Sequence, residues 1–180
     1  MNLIIADESK NSICPSLRNA LENLEKESRY LAADKLDISP CAACSSCGGK
    51  TFGRCVIRDD MQTVYPLIVR CRKLVLVSPV TFGGPGFHIK KVIDRMTAVG
   101  DPRYCLKDGE LVKGMTGEGF RYDLVGLGTG ISDEEQEAFR YLHRENCRIM
   151  GTEGRAFLLG DRASIGEIKS VAEAIANGQG

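Results

Sequence analysis

Four short apolar runs, Asn2 to Ala6, Leu74 to Val77, Leu124 to Leu127 and Ala156 to Leu159, carry no polar alternation. A strand with one wet face alternates, so runs of this kind belong to strands buried on both faces, as in a parallel sheet covered by helices. Each run leads into small and polar residues and then into a helical pattern. Pro15 to Lys26 sets Leu17, Ala20, Leu21 and Leu24 at helical spacing, and Ile89, Val92, Ile93 and Met96 do the same after the second run. After the third run and Gly128-Thr129-Gly130, Ser132 fits an N-cap and Glu135 completes a capping box ahead of Ala138, Phe139 and Leu142. A further helix begins near Ser164, with Ile168, Val171, Ala172 and Ile175 on one face, and a weaker strand spans Tyr30 to Leu36.

Strands alternating with helices of these lengths predict one α/β domain over residues 1–180, a doubly wound five-stranded parallel sheet with helices on both faces. Right-handed crossovers make strand order 2-1-3-4-5 the simplest arrangement, which sends a ligand to the carboxyl ends of the strands, where the order reverses. The loops facing that point are Asp7 to Cys14, Pro79 to Phe87 and Gly128 to Ile131. The stretch Asp101 to Arg121 is too long for a plain connection. Asp108-Gly109, between Tyr104 to Lys107 and Glu110 to Lys113, reads as a hairpin turn, a flap or subunit contact that points to a two-fold homo-oligomer.

With 43% apolar residues and Lys+Arg equal to Asp+Glu at 24 each, the chain has material for a core and no bulk charge to draw it to nucleic acid or membrane. No apolar run nears the ~20 residues that cross a bilayer, and the start of the chain shows neither a basic region nor a cleavage site, so a cytoplasmic protein is expected. Against that background eight cysteines stand out. A disulfide framework is out of place in a reducing compartment, which turns attention to metal or redox chemistry. Cys41, Cys44, Cys47 and Cys55, in a loop over residues 40–58, are spaced C-x2-C-x2-C-x7-C, close to iron–sulfur spacings and unlike the two separated knuckles of most zinc sites. The alternative is four reduced thiols in a loop that covers a neighbouring site. Lys50, Arg54 and Arg58 would offset a cluster's charge, and Cys14, Cys71, Cys105 and Cys147 read as small buried or half-buried side chains. Asp59 and Asp60 suit the positive end of a helix, Pro66 a kink or a fresh first turn, and Asp94 with Arg95 an ion-pair network; His88 and His143 read as surface residues.

Taken together, the cysteine quartet, Asp59-Asp60-Met61, the run Val77 to Gly84 and Lys90 to Arg95 resemble the NADPH-dependent FMN reductase and iron-sulfur flavoprotein family of flavodoxin-like proteins, densely over residues 38–96. Gly119 to Tyr122 looks like the stretch before the fourth strand in a branch whose loop reads PVTFGG. The resemblance implies FMN as cofactor, NAD(P)H as co-substrate and a small-molecule or redox-protein electron acceptor. It implies a phosphate site on Ser9, Lys10, Asn11 and Ser12 at the start of the first helix, although Ser12-Ile13-Cys14 stands where the family reads Gly-Asn-Thr or Gly-Asn-Ser, one hydroxyl fewer. Pro79, Val80, Thr81, Phe82, Gly83 and Gly84 would lie along the flavin ring, with Gly128, Thr129 and Gly130 in the third loop at the same site. Thr81 replaces the usual tyrosine, there is no tryptophan, and Phe82 is the nearest aromatic unless it is a core residue.

Three functions follow from the resemblance. The first is an FMN-dependent oxidoreductase, the second an electron carrier with a [4Fe–4S] cluster on Cys41, Cys44, Cys47 and Cys55, and the third a non-catalytic module with a degenerate phosphate loop. No G-x-G-x-x-G fingerprint is present, so the hydride donor rests on the resemblance. No acid–base constellation stands out either, as suits chemistry carried by a flavin.

Overall fold

The computed structural model describes residues 1–9, 13–24, 27–100, 103–107, 109–112 and 119–178. The elements run β1 (Asn2–Ala6), α1 (Cys14–Leu24), β2 (Ser28–Ala32), α2 (Met61–Arg70), β3 (Lys73–Thr81), β4 (Gly84–Pro85), α3 (Phe87–Arg95), β5 (Cys105–Lys107), β6 (Glu110–Val112), β7 (Arg121–Leu127), α4 (Asp133–Met150), β8 (Ala156–Leu159) and α5 (Ile165–Ala176). The parallel strands take the order β2-β1-β3-β7-β8, which is the expected 2-1-3-4-5, while β4 folds back antiparallel on β3 and β5–β6 form a separate hairpin. Among the described residues no helix is long and apolar enough to cross a membrane.

The lack of polar alternation now has its cause. Leu3, Ile5, Leu74, Leu76, Tyr122 and Leu124 point to one face, against Met61, Val64 and Ile68 of α2, Ile89 and Val92 of α3 and Phe139 of α4. Their strand neighbours Ile4, Ala6, Val75, Val77, Val125 and Leu127 point to the other, against Leu17 and Leu21 of α1 and Ile168, Ala172 and Ile175 of α5. Register is tight: Leu76 lies between Ile5 and Leu124. The expected capping box of Ser132 with Glu135 forms, and Ser164 makes another with Glu167.

Several local expectations are corrected. The second strand ends at Ala32, and residues 33–35 make a 3-10 turn that lets the Asp34 carboxylate accept the Glu8 amide at 3.1 Å. α2 continues through Pro66 instead of starting afresh there. Cys105 is exposed on the hairpin, while Cys14, Cys71 and Cys147 are buried as expected. Asp108 and Lys113 of the expected hairpin lie outside the described residues.

Asp94 and Arg95 do not share one network. Asp94 pairs with Lys90 on the helix surface, whereas Arg95, 1% exposed, reaches across 36 residues to Asp59. Its Nη1 and Nη2 donate to the two Asp59 oxygens at 2.8 and 3.1 Å, Nη1 also to the Ser39 carbonyl at 2.8 Å, and Nε to the Tyr65 hydroxyl at 3.2 Å. Asp59 accepts in addition the amides of Ser39 and Met61, at 2.9 and 3.0 Å. Burial alone would push the Asp59 carboxyl up, but Arg95 and these amides outweigh it and hold the group below the usual carboxylate range. Asp60 adds a second tie by accepting the Asp37 amide at 2.8 Å. Both ends of the cysteine loop are thus drawn into one neck against the end of α3.

Replacing Arg95 by leucine strands a buried carboxylate. The expected loss is about 3–5 kcal/mol in urea unfolding, with faster proteolysis inside residues 40–58, against under about 1 kcal/mol for Lys90→Ala at the exposed pair. Equal losses in the two variants would refute the neck.

Candidate functional site

Strand order reverses between β1 and β3, and the carboxyl ends there carry three loops. β3 overshoots the sheet and turns back through β4, pairing Val80 with Pro85 and Thr81 with Gly84, which leaves Phe82-Gly83 as a two-residue turn. Both residues lie in the left-handed region, at φ 49° and 70°, the backbone such a turn requires. Gly83 has a second reason to be glycine, since a Cβ there would come within 2.8 Å of the Ala138 Cβ in α4. Phe82 has no such excuse. A non-glycine in this region costs on the order of 1–3 kcal/mol, yet its ring stands 95% exposed at the rim. Ser78 Oγ and the Pro79 carbonyl, each accepting the Gly86 amide at 2.8 Å, lock the base of the turn. Exposed Thr81 and Phe87 flank it.

On the β7 side Gly128 donates its amide to the Leu159 carbonyl at 3.1 Å, and Thr129 and Gly130 are exposed, with open space beside the Gly130 α-carbon. The β1 side is acidic. Asp7 is buried, and its carboxylate accepts both the amide and the hydroxyl of Ser9, at 3.0 and 2.5 Å. Glu8 accepts from the Tyr30 hydroxyl, and Arg18 stacks on that ring at 4.1 Å. Burial pushes the Cys14 thiol up to about 11, and Lys35 lies 3.0 Å from Asp34. Ser9 therefore has its donors turned to Asp7, a bond that an acid directly after an apolar strand could have signalled. Lys10, Asn11 and Ser12 lie outside the described residues.

The cysteine loop projects from its neck. Cys41 and Cys44 are exposed, Cys47 and Cys55 half-buried, and all four are free thiols. Ala43 and Ser45 take left-handed backbone, a 3-10 turn covers residues 46–48, and the Thr51 hydroxyl ties that turn to Arg54. Hydrogen bonding to Ser46 lowers the Cys44 thiol below its ordinary value. Among the described residues no three Cys, His, Asp or Glu side chains stand close enough to share a metal ion. Four thiols in one loop are the right chemistry for a cluster, and they stand apart from one another in this arrangement.

No family model matches the chain. An iron-sulfur flavoprotein of Archaeoglobus fulgidus is 34% identical over 86 residues, 46% of this chain and 43% of that one. The chain spans well under two thirds of the length of the curated relatives it matches first. An azoreductase from Bacillus anthracis superposes with a TM-score of 0.65 at 12% identity, over 98% of both chains. An FMN-dependent NADH-azoreductase from the same species, solved in complex with FMN, superposes with a TM-score of 0.62 at 16% identity, over 98% of this chain and 100% of that one. The fold is flavodoxin-like. The resemblance read from the motifs is borne out by these likenesses.

Within this flavodoxin-like frame the two histidines sit otherwise than expected. His88 is half-buried at the start of α3, with Nδ1 unpartnered. His143 is 3% exposed, edge-on to Tyr122 at 4.7 Å between ring centroids, with Nε2 3.5 Å from the Cys147 sulfur and Nδ1 without a partner. It shares a four-residue stripe of α4 with buried Phe139 and Cys147, the signal that would have placed it inside.

Burial pushes the His143 ring down to about 4 from 6.5, so it is neutral in the folded protein. Between those values the unfolded chain binds the proton and the folded one resists it. The His143 contribution is therefore complete above about pH 6.5, falls as pH drops and is gone near pH 4, about 3 kcal/mol in all. Urea unfolding of His143→Gln should show a correspondingly shallower decline across that window. An unchanged slope would remove the assignment.

Proposed function

We propose that the protein is an FMN-dependent oxidoreductase, taking hydride from NAD(P)H and passing electrons to a small-molecule or redox-protein acceptor. The observation that carries this reading is the strained Phe82-Gly83 turn, which holds an aromatic ring in water at the point where strand order reverses. An azoreductase solved with FMN and relatives named iron-sulfur flavoproteins support it. FMN, when bound, supplies the hydride and electron chemistry. The chain's part is to seat and shield it. Phe82 offers a stacking face, Pro79, Val80 and Thr81 an edge, and Gly83 and Gly84 a close backbone approach, with Gly128, Thr129 and Gly130 closing the other side. Ser9, Lys10, Asn11 and Ser12 take the phosphate in this reading, where Asp7 and Glu8 oppose its charge and, among the described residues, Arg18 and Lys35 offset them.

Fluorescence titration of flavin-free protein with FMN tests the proposal. Phe82→Ala should weaken binding about three- to tenfold and Phe82→Tyr leave it near wild type. A protein that binds no FMN, or that reduces no acceptor with NADH or NADPH once loaded, would be the non-catalytic module instead.

The second reading, an electron carrier with a [4Fe–4S] cluster on Cys41, Cys44, Cys47 and Cys55, is favoured by the neck, which isolates the loop as a unit that can close without disturbing the core. If the four thiols act together, Cys44→Ala alone removes nearly all iron and acid-labile sulfide from anaerobically purified protein. Wild-type protein free of both excludes this reading. Leu106, Leu111 and Tyr104, exposed on the β5–β6 hairpin, are the surface that a second copy would cover in a homodimer.

A further inference from the structure

At the amino ends of β7 and β8, away from the carboxyl rim, the second half of α4 and the turn over residues 152–155 enclose a groove of about 660 Å3. Arg140, Arg144 and Arg148 recur every four residues along its helical wall, Arg155 enters from the opposite side, and His143 and Cys147 lie between them. We infer that this groove is a binding site for a small molecule bearing phosphate, distinct from the carboxyl rim and independent of the flavin reading.

Charge comes first. Four arginines line one concavity of a chain whose formal net charge is zero, with Arg155 Nη2 already given to the Ala174 carbonyl of α5, and Glu153 is the single acid among the lining residues. Arg148 is occupied, bonded to Glu145 and paired with Glu110 of the hairpin. Arg140 has a 3.5 Å contact to the neutral Gln136, and Arg144 a 3.9 Å approach to Glu145 and a stack on the Tyr141 ring at 5.1 Å, so both keep N–H donors for an incoming anion. Planar guanidinium forks match phosphate oxygens in pairs, which lysines on a surface do not.

Two buried atoms give the independent sign of a ligand. His143 Nδ1 and Arg155 Nε are both sealed from water and make no well-aligned hydrogen bond, with the Gly154 backbone as the nearest polar neighbour of the His143 ring. A buried polar atom left unmet costs on the order of 1–3 kcal/mol, so it is seldom kept without a use. The neutral His143 ring can take the Cys147 thiol proton's hydrogen bond at Nε2, 3.5 Å away, and then presents Nδ1–H as a donor. Arg155 also covers the Phe157 ring at 5.3 Å, on the α1 and α5 side of β8. The groove is open to solvent and of small-molecule size, which favours a compact phosphate over a nucleic acid.

Inorganic pyrophosphate is the probe, and the whole chain the sample. The protein has two histidines, so ring resonances in an NMR titration distinguish this groove from α3. His143 should shift saturably with a Kd of about 1 mM or tighter while His88 stays fixed. Arg140→Glu with Arg144→Glu, both exposed, should weaken binding at least about tenfold and leave the FMN titration unchanged, and the glutamine pair should fall between. No saturable His143 shift, full binding in the charge-reversed variant, or duplex DNA binding that pyrophosphate does not compete would each overturn the proposal.

Discussion

A guanidinium group taken almost wholly out of water has to find its countercharge inside the protein, and Arg95 finds it in Asp59. That demand reaches well beyond two residues. Asp59 precedes α2, Arg95 ends α3, and the Ser39 carbonyl between them belongs to the chain arriving from the sheet edge. One bidentate pair therefore sets the relative height of two helices on the same face of the sheet and closes the base of a loop that has almost no core of its own. The cysteines project from that base without contributing to it, so their chemistry and the fold's stability are separable quantities.

What could be read in advance follows the range of the interaction that decides it. Strand runs, helical stripes and the Ser132 capping box are set by residues within a few positions of each other, and their order along the chain constrains the sheet through the handedness of crossovers. The partner of Arg95 lies 36 residues away and no local pattern names it. Asp34 ends the second strand early because the Glu8 amide, 26 residues distant, calls its carboxylate inward. The place of His143 is legible in the stripe it shares with Phe139 and Cys147, although the polar residues around it on α4 conceal that stripe. At the candidate site, the glycine turn was visible as a motif, but the exposed ring beside it, and the turning of Ser9 toward Asp7, depend on tertiary geometry.

The two ends of the sheet have opposite chemical characters. The carboxyl rim offers aromatic and glycine surfaces with carboxylates at one corner, and the amino side gathers arginines. α4 connects them: its first turns pack against Gly83 and its last turns line the arginine groove, about 27 Å along a helix of 18 residues. Ligands of like charge at the two ends would not touch each other.

The packing of α1 against α5 has a consequence in time. Leu17 and Leu21 are covered by Ile168, Ala172 and Ile175, so a stripe made early in synthesis waits for residues made some 150 positions later. At about 5–20 residues per second the wait is roughly eight to thirty seconds, during which the first helix must either lie on an unfinished sheet or offer its apolar side to whatever else is near the ribosome.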